Sequence, residues 1–161
     1  MNCDNITITG ASGDDLRDVL DLLSVVQLPH DGVAENIAAF LIARDESSRP
    51  IATIGLEQHG KTGLLRSAAV APEYQGCGIG SRLTEKLLER ATKNGVERVV
   101  LLTSTAKEFF ARRFGFCETS RTAFEKELAA SSEWNLPRAD LNVRAAAAIP
   151  VLFTHAGVAK W

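Results

Sequence analysis

The chain has 161 residues, of which 45% are hydrophobic and 24% are charged. These proportions are ordinary for one globular domain with a single core. Its formal net charge is −2 at pH 7. A surface that binds nucleic acid or an anionic membrane needs a basic excess, so the composition argues against both classes of partner.

The cysteines Cys3, Cys77 and Cys117 are odd in number and widely spaced. That pattern fits neither a zinc site nor a disulfide-rich secreted scaffold. The N-terminus lacks the charged and apolar regions of a signal peptide, and the longest uncharged apolar stretch, residues 145–153, is too short to span a membrane. We therefore expect a protein of the reducing cytoplasm that holds no metal.

In the first part of the chain, strand-like runs alternate with amphipathic helices. Residues 5–9 predict a first strand, and Ser12 or Asp14 can cap the helix that follows. A turn at residues 28–32 and a second short helix then lead to a strand near residues 40–43. The pattern predicts a strand, two helices and a second strand.

Three consecutive strand-like runs lie at residues 40–43, 51–58 and 64–71. Turns at residues 47–50 and 60–63 join them. Runs joined by such tight turns are typical of an antiparallel meander.

The remaining elements again alternate between helix and strand. A helix from about Ser81 ends at Asn94-Gly95, since glycine favours the left-handed conformation that closes a helix. Residues 98–103 predict a buried strand, residues 106–113 a helix, and Gly115-Phe116 the start of a last strand. The whole order predicts a mixed α/β domain.

A glycine-rich turn, Gln75-Gly76-Cys77-Gly78-Ile79-Gly80, lies between the run at 64–71 and the helix from Ser81. Glycines at alternate positions let backbone amides converge, and the helix start adds unpaired N–H groups and the positive end of its dipole. Such a place suits an anionic ligand.

A competing motif lies just upstream, because residues 55–62, Gly-Leu-Glu-Gln-His-Gly-Lys-Thr, match the P-loop pattern of nucleotide hydrolases. A P-loop needs a helix that begins at its Lys-Thr pair. Here Gly63 and a strand-like run follow. We therefore interpret these residues as a hairpin and the match as chance.

The segments on either side of the glycine-rich turn resemble the acetyl-CoA signature of the GNAT N-acetyltransferases. They are Val70-Ala71-Pro72-Glu73 before the turn and residues 83–90 after it. The element order over residues 5–118 resembles that fold as well. The resemblance implies a mixed, mostly antiparallel central sheet with helices on both faces and a splayed central strand pair, 64–71 and 98–103. The pantetheine arm of acetyl-CoA would lie between those strands.

Several segments are similar to the arsenic-resistance-associated subgroup of these enzymes. They are Phe40-Leu41-Ile42-Ala43-Arg44, Gly55-Leu56-Glu57, Leu64-Leu65-Arg66-Ser67 and Gly115-Phe116. The subgroup implies a small amine acceptor, such as an amino-acid-like organoarsenical or phosphinic compound.

The resemblance implies acetyl-CoA as co-substrate and assigns its binding residues. In relatives, the position of Cys77 is usually basic, so pyrophosphate binding here would depend on backbone amides. Cys77 itself is interpreted as a loop filler or a thiol made acidic by the helix start. The expected cofactor-binding residues are Ala68, Ala69, Val70, Gln75, Gly76, Cys77, Gly78, Ile79, Gly80, Ser81, Thr103 and Phe110.

Acetyl transfer to an amine needs a base, because an alkylamine with a pKa of about 10.4 arrives protonated. Strand alternation puts Glu57 and His59 on one face, and Glu57 lies where a carboxylate of this superfamily often accepts the proton. The alternative is a solvent-facing Glu57 or a salt bridge to Arg66. Glu118 and His30 are lower-ranked bases, and His59 is interpreted as an ordinary residue at the edge of the hairpin.

Arg66 is the best clue to the acceptor, because a buried strand seldom carries arginine without a partner. A guanidinium suits a carboxylate, phosphinic or arsinic group. Ala111 stands where many relatives carry a tyrosine that protonates the thiolate, and Tyr74 is an unlikely substitute. A thiol with a pKa of about 8.5 can leave without such an acid.

The predicted organisation is an acetyltransferase domain over residues 1–135 and a tail over residues 136–161 that docks on the same domain or on a partner subunit. Within the domain, residues 128–134 resemble the closing strand of the subgroup. The predicted activity is acetyl transfer to a small amine, with a homodimer as a possible assembly. Two alternatives stay open: acetylation of a protein N-terminus or lysine, and an acyl-CoA sensor without turnover.

Overall fold

A computed structural model describes residues 3–103, 106–136 and 145–150. The described residues form two compact units. The first takes Met1–Leu56 and Arg66–Leu87, and the second takes Glu57–Leu65 and Leu88–Trp161.

The sheet of the first unit is antiparallel in its first three strands. Strand β1 (Thr7–Gly10) pairs with β2 (Phe40–Arg44), with Thr7 opposite Arg44, and β2 pairs with β3 (Pro50–His59). Strand β4 (Thr62–Val70) is the next hydrogen-bonded neighbour of β3. The predicted meander is therefore confirmed, with strand ends that differ from the predicted ones by at most two residues.

Helices α1 (Leu16–Val25) and α2 (Val33–Asn36) lie between β1 and β2 in the chain. A single 3-10 turn, Gly13–Asp15, precedes α1, and the side chains of Ser12 and Asp15 form its capping box. The apolar face of α1 belongs to the core of this unit, whose buried members are Ala11, Val19, Leu23, Val33, Phe40, Ile42 and Ala69.

In the second unit the strand order is β4, β5 (Arg98–Thr103), β7 (Ala145–Pro150) and β6 (Cys117–Thr119). Residues Thr62 to Leu65 of β4 pair in parallel with Arg98 to Leu101 of β5, and the other two pairs are antiparallel. The mixed, mostly antiparallel α/β fold predicted from the sequence is confirmed.

Two further helices follow β4 in the chain. Helix α3 (Ile79–Lys93) begins two residues before the predicted start and is followed by Gly95 at φ 82°. Helix α4 (Lys107–Phe114) ends at Gly115, which has φ 70°. Within the described ranges, no helix has both the length and the apolar character that a membrane span requires.

The prediction of a closing strand at residues 128–134 is wrong, because this segment consists of turns and bends. Its backbone bonds are local: the Ser131 N–H donates to the Leu128 carbonyl, and the Ser131 Oγ accepts from the Trp134 N–H. Such local bonds compete with a strand ladder. Strand β7, from within the predicted tail, pairs with β5 instead, so β6 is not the last strand.

The hairpin interpretation of residues 55–62 is confirmed. Strand β3 continues to His59, a turn occupies Gly60 and Lys61, and β4 begins at Thr62. Since a strand and not a helix follows the Lys-Thr pair, these residues cannot form the phosphate cradle of a P-loop.

Candidate active site

The glycine-rich loop between β4 and α3 has the backbone of an anion-binding turn. Gly76 and Gly78 have φ values of 83° and 78°, which a side chain would disfavour. The Arg82 N–H donates to the Gly78 carbonyl at 3.1 Å, so the helical bonds begin at Gly78. The amides of Ile79, Gly80 and Ser81 therefore form the first turn, where helix N–H groups have no partner within the helix.

Both ends of the loop are anchored. Ile79 is buried, at 1% exposure. At the other end, Gln75 Nε2 donates to the Val70 carbonyl at 3.1 Å and ties the loop back to β4. Gln75, Gly76 and Gly78 are exposed, so the loop presents its backbone to solvent from a firmly held position.

A charged hydrogen-bonded group supports the residue that precedes the loop. The buried Tyr74 hydroxyl donates to Asp45 Oδ2 at 3.0 Å and accepts from Arg49 Nη2 at 3.2 Å. The Arg49 backbone N–H, followed by its guanidinium and Tyr74, lowers the pKa of Asp45 to about 2, against an opposing effect of burial. The Tyr74 hydroxyl is thus engaged in two hydrogen bonds, and its unsuitability as the acid for the thiolate stays a prediction.

A disulfide joins Cys77 of the loop to Cys3, with the two Cα atoms 6.0 Å apart. The interpretation of Cys77 as a loop filler or an acidic thiol is therefore wrong. Spacing could not reveal the pair, because the two cysteines are 74 positions apart in the sequence. Cys117 carries the free thiol and is exposed.

Strand β4 departs from regular geometry at Ser67, which has φ 57°. A left-handed residue inside a strand interrupts the regular ladder and redirects the neighbouring peptide groups. Ala68, immediately after it, is exposed, whereas Ala69 is buried in the core with Phe40 and Ile42. The expected pantetheine-binding segment thus begins at an irregular point of the strand.

Arg66 is buried, at 2% exposure, as predicted for an arginine of a central strand. Its Nε donates to Ser67 Oγ at 3.0 Å. This bond joins the guanidinium to the residue at which the strand becomes irregular.

Glu57, in the second unit, has a side chain that is only 3% exposed. The alternative of a solvent-facing Glu57 is therefore wrong. Its Oε1 lies 3.1 Å from Nε2 of His59, whose side chain is 18% exposed. Strand alternation predicts that these two residues share a face, and the structure adds a contact between them that the interpretation of His59 as an ordinary edge residue does not include.

The two lower-ranked bases lie in exposed places. Glu118 is on β6, opposite Ala147. His30 follows α1, and its Nε2 lies 3.0 Å from Ser24 Oγ. Burial thus separates Glu57 from both of these candidates.

Two of the expected cofactor-binding residues, Thr103 and Phe110, belong to the second unit. Thr103 ends β5, and its side chain lies outside the described part. Phe110 is buried in α4 and makes an edge contact with Phe116, with ring centroids 5.4 Å apart. Ala111 is exposed on the same helix.

The structure therefore brings the expected anion-binding residues together in the first unit, along the end of β4, the glycine-rich loop and the start of α3. Glu57 and His59 form a carboxylate–imidazole pair in the second unit. No group of three or more potential metal ligands occurs among the residues that the structure describes.

Comparison with known proteins places this arrangement in a family. The model of the acetyltransferase (GNAT) family matches residues 15–116, which is more than half of the chain. A search of the curated proteins finds no match.

Solved structures share the fold at low identity. The N-acetylglutamate synthase of Neisseria gonorrhoeae, complexed with coenzyme A and N-acetyl-glutamate, has a TM-score of 0.75 at 19% identity, covering 91% of this chain and 35% of that chain. A Mycobacterium tuberculosis protein in complex with CoA has a TM-score of 0.72 at 21% identity, covering 89% and 98%. A GNAT acetyltransferase of Staphylococcus aureus has a TM-score of 0.73 at 17% identity, covering 91% and 99%.

This chain spans about a third of the length of the gonococcal synthase but nearly all of the other two proteins. At these identities the likeness establishes the fold. Together with the family match over residues 15–116, it leads to one conclusion: the chain belongs to the GNAT family of acetyltransferases.

Proposed function

We propose that this protein is an N-acetyltransferase that moves the acetyl group of acetyl-CoA to the primary amine of a small molecule. The observation that carries the proposal is the glycine-rich loop at the start of α3, with Gly76 and Gly78 in left-handed conformations. The family match supports it, as does the coenzyme A bound by two proteins of the same fold.

The loop would hold the pyrophosphate of acetyl-CoA. Backbone amides from Gln75 to Gly80 and the positive end of the α3 dipole supply the attraction for the anion. Cys77, which is disulfide-bonded to Cys3, adds no positive charge. Ala68 and Val70 would bind the pantetheine through backbone groups, although the Val70 carbonyl already accepts a bond from Gln75.

The chemical step is a direct attack. The neutral amine nitrogen bonds to the thioester carbonyl carbon, and the C–S bond then breaks to release coenzyme A as a thiolate, with a pKa of about 8.5 for a thiol. Glu57 would take the proton from the amine. The backbone N–H of Ala69 or Val70 would stabilise the oxyanion of the intermediate.

Arg66 would orient the acceptor through an anionic group, because a guanidinium binds a carboxylate or an arsinic or phosphinic group in a two-point contact. Its burial makes such a charge-assisted bond stronger than it would be in water. The gonococcal synthase was solved with N-acetyl-glutamate, the acetylated form of an amino acid. We therefore propose an amino-acid-like acceptor, and the subgroup resemblance extends this to organoarsenical and phosphinic amino acids.

The test is thiol release from acetyl-CoA across matched acceptors. Each amino acid or phosphinic amino acid is paired with the amine that lacks the anionic group. We expect release with the anionic member of a pair and at least about tenfold less with its partner, as for the loss of one charged hydrogen bond. A thermal-shift measurement with acetyl-CoA and with Mg-ATP accompanies it, and stabilisation by ATP alone would overturn the proposal.

One observation favours a second candidate, an acyl-CoA sensor without turnover. Ala111 provides no acid for the leaving thiolate, and the Tyr74 hydroxyl is bonded to Asp45. Stabilisation by acetyl-CoA without thiol release for any small amine would support the sensor. Release with peptides alone would instead support acetylation of a protein N-terminus or lysine.

A further inference from the structure

The end of β3 holds an imidazole against the buried carboxylate that we propose as the base. His59 Nε2 and Glu57 Oε1 lie 3.1 Å apart, and the two residues are separated by one position on the same face of the strand. A buried carboxylate is stable in its charged form only when hydrogen-bond donors or positive charge compensate for lost water. His59 lies where it can supply one of those donors.

We propose that His59 is a positioning residue that donates its Nε2–H to Glu57 Oε1 and thereby fixes the orientation of the carboxylate that takes the amine proton. The tautomer with the proton on Nε2 is the one that fits an ionised carboxylate, because a carboxylate only accepts hydrogen bonds. The bond stabilises the ionised base and fixes its rotamer. This inference rests on the proposed function, in which Glu57 takes the amine proton.

The backbone around His59 is braced, which a positioning role requires. Gln58 Nε2 donates to the carbonyl of Gly60 at 3.1 Å and to that of Asn94 at 3.1 Å. The Glu97 N–H donates to the Lys61 carbonyl at 2.8 Å. The end of the hairpin around His59 is therefore tied at two points to the segment between α3 and β5.

The neighbouring strand is held as well. The Thr62 hydroxyl donates to Glu127, and Arg98 also contacts Glu127, with Nη2 3.3 Å from Oε1. These bonds join the starts of β4 and β5 to the turn segment after β6. A hairpin fixed on both strands can hold an imidazole in one place without help from the substrate.

Exposure explains why histidine is suited to this position. The Glu57 side chain is 3% exposed and that of His59 is 18% exposed. The imidazole thus contacts the buried carboxylate from a partly exposed position at the end of the strand.

Two variants of similar size separate the donor from the shape of the side chain. His59→Gln keeps an amide N–H donor near the position of Nε2, whereas His59→Phe keeps a flat ring without a donor. We expect His59→Phe to lower kcat by about 10- to 100-fold, the low end of the range for acid–base assistance. The KM for acetyl-CoA should stay unchanged, and His59→Gln should restore kcat to within about threefold of the parent protein.

The melting temperature of both variants, with and without acetyl-CoA, shows whether they fold and bind the donor substrate. Two results would overturn the inference: a folded His59→Phe protein with the parental kcat, or a folded His59→Gln protein that is as slow as His59→Phe. Failure of the proposed function looks different, because the parent protein itself would then release no thiol with any acceptor.

Discussion

Cys3 and Cys77 are joined by a disulfide that ties the N-terminal segment to the glycine-rich loop, across 74 residues of sequence. Because a cross-link of this span restricts the unfolded chain, the loop-entropy model assigns it about 4 kcal/mol of stability. The cross-link also leaves Cys117 as the free thiol.

We expect reduction, Cys3→Ser or Cys77→Ser to lower the melting temperature by roughly 10 °C. Differential scanning calorimetry with and without a phosphine reductant measures the change, and Cys117→Ser is the control that should leave it unaltered. An intact mass that does not rise by two hydrogens on reduction would contradict the disulfide.

Glu57→Gln tests the proposed base. We expect kcat to fall by about 10²- to 10⁴-fold, because the amide cannot accept the amine proton. The remaining activity should rise toward higher pH, where more of an amine with a pKa near 10.4 is already neutral. Binding of acetyl-CoA should be retained.

Thiol-release kinetics from pH 6 to 10 and calorimetric titration of acetyl-CoA provide the measurements. The control is Glu108→Gln, since the side chain of Glu108 is 82% exposed on α4. If Glu57→Gln matches the parent protein at every pH, Glu57 has no part in proton removal.

Gly78→Ala tests the loop. A Cβ at Gly78 meets nothing within 4 Å, so the only cost comes from its φ of 78°. We expect a loss of about 1 kcal/mol in the free energy of unfolding and, because the amides shift, at least about a tenfold loss of acetyl-CoA affinity.

Gly60→Ala is the matched control, because Gly60 has φ 65°, equally open surroundings and a position in the β3–β4 turn. It should lose similar stability and keep the parental affinity in the same titration. Equal affinities for both variants would count against the loop as the pyrophosphate site.

Gly55→Ala tests the packing of β3 on β2. A Cβ at Gly55 would lie 2.5 Å from ring atoms of Phe40, which is fully buried. Overpacking of this kind costs about 1–3 kcal/mol. Chemical denaturation should show this loss.

The double variant Gly55→Ala/Phe40→Leu should be more stable than the sum of the two single losses predicts, because the shorter side chain makes room for the new methyl group. Gly13→Ala, where a Cβ meets nothing within 4 Å, is the control and should change little. Additive losses in the double variant would show that the two residues do not interact as described.

Asp45→Asn tests the hydrogen-bonded group that Asp45 forms with Arg49 and Tyr74. The pKa of Asp45 is lowered from 3.8 to about 2, first by the Arg49 backbone N–H and further by its guanidinium and Tyr74. A carboxylate with a lowered folded-state pKa stabilises the protein above its unfolded-state value and loses that effect as the pH falls through the folded-state value.

The melting temperature of Asp45→Asn should therefore be lower than that of the parent protein at pH 5–7, and the difference should shrink between about pH 4 and pH 2. Thermal unfolding across this range measures it. Asp14→Asn, at an exposed position, is the control. A difference that stays constant down to pH 2 would show that the ionised form of Asp45 contributes nothing.

Much of the fold follows from local signals. The turn at Gly60 and Lys61 was expected from its residue types, and it excludes the P-loop interpretation because a strand follows. Gly115 ends α4 in the left-handed conformation that its residue type favours. The start of α3 differs from the predicted start at Ser81, because the Gly78 carbonyl accepts the first helical hydrogen bond of α3.

The candidate site was predicted less completely, because its chemistry depends on burial. The family resemblance, and not residue type, ranks Glu57 above Glu118, and the structure adds that the Glu57 side chain is buried whereas Glu118 is exposed on β6. Strand alternation predicts that His59 shares a face with Glu57, but only the distance between His59 Nε2 and Glu57 Oε1 shows that the two side chains are in contact. The acceptor stays a prediction based on Arg66 and the family subgroup.

By itself, the sequence determined the elements whose causes lie within a few residues: amphipathic helices, alternating strands, tight turns and the glycine-rich start of α3. Tertiary structure alone decided that Cys3 meets Cys77 and that β7, and not residues 128–134, pairs with β5. The physical reason is the distance along the sequence over which each interaction acts. Turn and helix preferences act through neighbouring backbone groups, whereas pairing and burial depend on which distant segments share a core.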